Sequence, residues 1–337
     1  EGGNSIYALA SEAVFPGPES IWAETGQLGD EPLRRYLANC QAGLLRVLRG
    51  EMNPLETLFP GGDDQLAKGL YEQSPTAMYV NRIAAAAIAA RTRQPVQTAL
   101  GFLRRFHILE VGAGTGATTS TVLAQMDSQR MVYTFSDVSE VFLARARQRF
   151  HGYPMEFTLF DLDRADHAAT HEGRYDIVLA ANSLHAAKDL RLGLTRLFDI
   201  LQPGGSLVLV ETTANHAWHE ISTGLIEGWQ HFTDAARRDG SPLLSPERWA
   251  EELALAGFEG FAVAPSAEHA THPLGLHMLM AHKPSHASAL HASGATASTA
   301  FESATPFAAF VSGANQPGDG IATRLAEEIA AALPRQR

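Results

Sequence analysis

Apolar residues follow two regimes along this chain. Up to about residue 99 they recur at roughly helical spacing, as over 32–49, where Leu33, Tyr36, Leu37, Leu44, Leu45 and Val47 carry the pattern. From residue 107 short apolar runs alternate with helix-length stretches. The runs at 107–111, 132–136, 155–160, 175–180 and 206–211 read as buried strands, with helices over 117–126, 141–150 and 190–201 between them. That alternation predicts an α/β fold with a doubly wound parallel sheet. A helix over 246–256 ends at Gly257, and strands at 258–263 and 276–281 then follow with no helix-length stretch between them. They predict a closing antiparallel hairpin.

The helical region ahead of the first strand carries a turn-rich segment at 53–62, a helix from about Asp64 and an alanine-rich helix over 79–90. Its place in the chain predicts a lid over the ligand crevice, giving a helical lid at 1–100 and a ligand-binding core at 101–284. Residues 285–306 are rich in Ser, Ala and His without apolar periodicity and read as a linker. Residues 307–337 begin again as strand, Gly–Pro-rich turn and helix, resembling the truncated opening of a further nucleotide-type domain.

Composition narrows the function. The 337 residues are 45% hydrophobic, enough for one main core with accessories. A net charge of −11 opposes a nucleic-acid partner, and Arg237 and Arg238 are expected on a solvated surface. No apolar run of about 18 residues exists to span a membrane. A single cysteine, Cys40, excludes an internal disulfide, fits a reducing, cytoplasmic setting and reads as a small buried side chain. His272, His282, His286 and His291 lack acidic or cysteine partners and are expected as scattered surface residues, with no metal site. Because the chain begins with Glu rather than Met, it is expected to be a piece of a larger polypeptide.

The chemistry gathers at strand ends. After the first strand come Gly112, Gly114 and Gly116, where a tight turn lets a ligand approach the backbone. Gly112, Gly114 and Ala117 also satisfy a dinucleotide fingerprint, but Glu110, the third glycine and the final hairpin favour S-adenosylmethionine. Asp137, closing the second strand, is placed to accept ribose hydroxyls. Asp161, after the third, is placed for an adenine amine, with Phe160 or Leu162 against the ring. Asn182 and His185 follow the fourth strand and Glu211 ends the fifth, so a histidine stands beside a carboxylate on the same sheet edge. That is the arrangement of a general base oriented by its partner. The Pro203–Gly204–Gly205 turn reads as backbone geometry only.

From about 44 to 284 the chain resembles the S-adenosylmethionine-dependent methyltransferase domains of modular polyketide synthases. The resemblance rests on 50–62 and 70–75 in the lid, 108–119 and 182–187 in the core, and 211–212, 224–230 and 242–244 beyond it. Ala187 stands where this family often has threonine. The resemblance implies a class I methyltransferase fold, a catalytic His185–Glu211 pair and cofactor contacts from Gly112, Asp137 and Asp161. It implies an acyl carrier protein presenting a phosphopantetheine-linked chain, neighbouring synthase domains, and a ketoreductase-type domain beginning near Phe307. The expected reaction is C-methylation at the α-carbon of a β-ketoacyl thioester, with Asn182, Tyr71 or Tyr79 donating to the enolate oxygen. O-methylation of a β-hydroxyl by the same pair is the alternative.

Overall fold

The computed structural model describes residues 30–93, 96–97, 103–234 and 240–285. The expectations for the linker, for the domain beginning near 307, for Arg237 and Arg238, and for His286 and His291 lie outside the described residues.

Seven strands form one sheet: β1 (Phe106–Val111), β2 (Met131–Asp137), β3 (Met155–Leu159), β4 (Tyr175–Ala181), β5 (Leu201–Thr212), β6 (Glu259–Ala264) and β7 (Leu276–His282). Their spatial order is β3-β2-β1-β4-β5-β7-β6. The first five are parallel, while β7 runs antiparallel to β5 and β6 antiparallel to β7. The predicted doubly wound sheet and closing hairpin are both present. Strand β5 starts earlier than expected, because the ladder absorbs the Pro203–Gly204 turn as an irregularity. Tyr175 faces Leu201, and the next paired residue, Ile177, already faces Ser206.

Helices α1 (Glu31–Leu48), α2 (Gln65–Lys68) and α3 (Pro75–Arg93) precede the sheet. Within and after it come α4 (Ala117–Gln125), α5 (Glu140–Arg149), α6 (Ala165–Ala169), α7 (Leu190–Ile200), α8 (Ala217–Glu220) and α9 (Pro246–Leu255). Helix α1 starts where the Asp30 carboxylate accepts from the Leu33 N–H at 3.0 Å. Its buried Tyr36, Cys40, Gly43 and Val47 recur at three- and four-residue steps, and Tyr36 and Cys40 meet Leu58 and Ala67 in a small separate cluster. Burial raises the Cys40 thiol above its ordinary range, which suits its expected place as an inert core residue.

The helix expected from Asp64 is only one turn. A π-helical turn, Gly69–Gln73, follows it, and Pro75 then opens α3, which begins four residues before the expected Tyr79. Helix α3 is buried nearly all round and shares a core with Phe106, Ile108, Tyr133 and Phe135 on one sheet face. Leu109, Val111, Leu194, Leu197 and Trp249 fill the other face. Helix α3 therefore packs as part of the sheet's core. No described helix is long and apolar enough to cross a membrane.

Two of the histidines expected at the surface are built into the fold. His282 closes β7, where its Nδ1 lies 3.1 Å from Ser206 Oγ and burial pushes its pKa down to about 4. His272 Nδ1 lies 2.8 Å from Nε2 of His277, a buried β7 residue whose Nδ1 meets Thr213 Oγ1 at 2.6 Å.

Candidate active site

Strand order reverses between β1 and β4, so the connections leaving their carboxyl ends diverge and open a crevice. A cavity of about 480 Å³ lies there, walled by the glycine turn, the ends of β2 and β4, and the loop after β3. Leu58, Phe59 and Tyr71 contribute from the N-terminal segment.

The three turn glycines all have left-handed backbones, φ +64° at Gly112, +55° at Gly114 and +76° at Gly116. Their surroundings differ. A Cβ on Gly112 would stand 2.6 Å from the Cβ of Ser183, and one on Gly116 would stand 2.7 Å from the Phe150 ring. Gly116 caps α4 and is not among the residues lining the cavity. At Gly114 the nearest atom to such a Cβ is the Gly112 carbonyl oxygen at 3.9 Å, so the backbone there is open.

Asp137 lines the cavity and is 5% exposed. One oxygen accepts from Gly114 N–H at 2.9 Å and the other from Ser139 N–H at 2.8 Å, while burial raises its pKa. It therefore clasps the glycine turn and also faces the cavity. Phe160, Asp161 and Leu162 line the same wall, with one Asp161 oxygen taking the Asp163 N–H at 2.9 Å. Asn182, the one non-glycine with positive φ (+47°) among the described residues, also lines the cavity. Its side-chain oxygen accepts from both the N–H and the hydroxyl of Thr212, at 3.1 and 2.9 Å.

Glu110 corrects the sequence expectation. It does not line the cavity; its carboxylate is buried, accepting from Thr119 Oγ1 at 2.5 Å and from Tyr133 OH at 2.6 Å. Alternation along β1 sends Val111 to the cavity and Glu110 to the other face. Burial, opposed by those hydrogen bonds, raises its pKa to about 7. Tyr79 is a second correction. Tyr71, on the π-helical turn, lines the cavity, and burial pushes its phenol up to about 12. Tyr79, one turn into α3, instead lines a separate apolar pocket of about 150 Å³ with Thr271 and Leu274 and stacks on His269.

The predicted pair is assembled. His185 Nδ1 lies 2.8 Å from Glu211 Oε2, and the fully buried Glu211 also accepts at Oε1 from Leu184 N–H (2.9 Å) and Ser183 N–H (3.2 Å). Three donors thus converge on one carboxylate. With Nδ1–H donating to Glu211, the neutral ring carries its lone pair on Nε2. The pair stands beside the cavity: Ser183, Leu184 and Ala186 of the same turn line it, whereas the His185 ring meets the edge of Trp229, 5.4 Å between centroids.

Sequence reasoning left several neighbours unassigned. Asn81 lines the cavity, donates to Tyr71 O at 3.0 Å and accepts from Thr118 Oγ1 at 2.9 Å. Phe59 and Phe142 meet across it, their centroids 5.7 Å apart. His219 stacks on Trp229, and burial lowers its pKa to about 4. Of these, Phe59 and Trp229 fall within segments that carry the family resemblance; Asn81 and His219 carry no such signal.

Sheet order, glycine turn and strand-end carboxylates define a class I methyltransferase. Residues 109–207 match the family described as a methyltransferase domain. The chain is similar to the solved carbon methyltransferase of CurJ, at 32% identity and a TM-score of 0.72, covering 79% of this chain and 70% of that one. The DszA carbon methyltransferase is similar at 30% identity and 0.70, covering 81% and 72%. Polyketide synthase ThaG of Burkholderia thailandensis is 37% identical over 295 residues, 83% of this chain. The chain belongs to the methyltransferase domains of polyketide synthases, and its cofactor is S-adenosylmethionine. It spans only 5% of the length of ThaG.

Proposed function

We propose that this chain methylates the α-carbon of a β-ketoacyl thioester carried on the phosphopantetheine arm of an acyl carrier protein, among neighbouring synthase domains. The observation that carries the reading is the 2.8 Å His185–Glu211 contact at the sheet edge beside the cavity. The CurJ and DszA relatives, both carbon methyltransferases, support it.

The cavity's residues fit the cofactor. Gly114 leaves its backbone open, Asp137 keeps a second lone pair on each oxygen for ribose hydroxyls, and Asp161, on the same wall as Phe160 and Leu162, would accept from the adenine amine. When bound, S-adenosylmethionine supplies an electrophilic methyl group. His185 Nε2 takes the α-proton, and the electron pair moves onto the substrate carbonyl oxygen as an enolate. Glu211 holds the ring in the tautomer that exposes this lone pair and faces the positive charge that develops. Tyr71, a phenol throughout the working pH range, and the Asn182 amide are the donors on the cavity wall for that oxygen. A base so positioned contributes about 10²- to 10⁴-fold.

Intact-mass spectrometry tests the reading, using carrier protein loaded with either a β-ketoacyl or a β-hydroxyacyl chain. A methyl-mass gain on the β-keto chain alone is expected. A gain on the β-hydroxy chain alone makes the reaction O-methylation and removes the enolate. His185→Ala should lose turnover by about 10²-fold or more while retaining S-adenosylmethionine binding; lost binding with the fold intact refutes the base.

A further inference from the structure

We infer that Arg149 is a positioning residue that couples the glycine turn of the cofactor site to the N-terminal segment walling the same cavity. Arg149 is the last residue of α5, and its guanidinium divides between two partners. Nη1 donates to the Thr115 carbonyl at 2.8 Å, and Nη2 donates to Glu72 Oε1 at 2.6 Å. Thr115 belongs to the turn and lines the cavity; Glu72 follows Tyr71, which lines it from the other side. The same guanidinium lies 5.1 Å over the Phe150 ring, the ring that closes against Gly116. One side chain therefore touches the turn's carbonyl, the ring behind the turn and the carboxylate of the π-helical turn.

Two further contacts sit on the same face of α5, at the i, i+3 and i+7 steps from Phe142 to Arg149. Phe142 meets Phe59, and Arg145 donates to the Gly62 carbonyl at 2.6 Å. Glu72 is also approached by Ser120 Oγ of α4 at 3.3 Å. Segment 59–72 is thus fastened to the helix that carries the turn's support. A ligand touching both Thr115 and Tyr71 gains if these are already held together, and by linkage its binding tightens the fastening. The geometry requires a fork. Lysine keeps the charge but presents a point donor that cannot hold the Thr115 carbonyl and the Glu72 carboxylate in these directions together.

The test uses the full chain with Arg149→Lys, Arg149→Gln, Glu72→Gln and the double variant Arg149→Lys/Glu72→Gln. Affinity for S-adenosylmethionine and S-adenosylhomocysteine is read by calorimetry, alongside steady-state turnover. Both Arg149 variants should weaken binding of each nucleoside by about tenfold or more, with turnover at saturating cofactor within about twofold of wild type. Glu72→Gln should weaken binding in the same sense, and the double variant should be no weaker than Arg149→Lys alone. In hydrogen exchange, S-adenosylhomocysteine should protect residues 59–72 in the wild type and fail to do so in Arg149→Lys. Wild-type affinity in Arg149→Lys overturns the inference, because charge alone would then suffice. So does a lowered melting temperature with unchanged affinity, which marks a structural contact only. Should Arg149→Gln fail to fold, Glu72→Gln leaves the Thr115 contact in place and reads the same coupling; unaltered affinity there also overturns it.

Discussion

Gly112, Gly114 and Gly116 share a backbone conformation and separate in what surrounds them. An alanine at any of them pays the left-handed penalty of about 1–2 kcal/mol. At Gly112 and Gly116 it also drives a methyl into Ser183 or Phe150, adding about 1–3 kcal/mol of overpacking. Gly114→Ala should therefore cost only the backbone penalty of about 1–2 kcal/mol by urea unfolding while losing at least about tenfold in S-adenosylmethionine affinity. Gly112→Ala and Gly116→Ala should each cost about 3 kcal/mol of stability. Equal stability of all three variants contradicts this division. The glycines were legible in the sequence because a turn between strand and helix demands them. Their unequal roles were not, since the Phe150 ring, just beyond the end of α5, lies more than thirty residues on. Glu110 misled for a related reason: adjacency to the turn suggested a ligand contact, and alternation along β1 buried it beneath.

Helix α3 carries the same lesson at the scale of an element. Its run of alanines marks a helix in the sequence, but its burial against the sheet is set by residues far along the chain. Ala84, Ala85 and Ala87 are fully buried in the core shared with Phe106 and Ile108, whereas Arg82 is exposed. Ala84→Leu should cost about 1–3 kcal/mol by denaturant unfolding, and Arg82→Ala should stay within about 0.5 kcal/mol of wild type. Neutrality of Ala84→Leu would return this helix to the role of a loosely packed lid. The strands and hairpin were legible because short continuous apolar runs and strand-end chemistry are local. The π-helical turn was not, because Ser74 N–H reaching back to the Gly69 carbonyl inserts a residue that no apolar pattern records.

Across the whole molecule, buried titratable groups set opposing pH dependences. Burial holds His219, His277 and His282 near a pKa of about 4, below the ordinary 6.5. Between those values the unfolded chain binds protons that the native protein refuses, so stability rises with pH through this window and falls as pH drops. Glu110 works the other way. Its folded pKa of about 7 lies above 4.5, so its contribution is present below pH 4.5 and lost as pH rises toward 7. Three groups oppose one, and near pH 5.5 these four groups make unfolding take up a net of roughly two protons, equivalent to roughly 2 kcal/mol per pH unit. His282→Asn keeps an acceptor for Ser206 and removes one titration, so it should lower that slope by about one proton. Replacing Glu110 with Gln should steepen the slope by a similar amount, because it removes the opposing group. Urea midpoints between pH 4.5 and 7 measure both effects. Parallel curves for wild type and His282→Asn would mean that His282 titrates alike in the folded and unfolded chain, and its burial at the end of β7 would then have no electrostatic consequence.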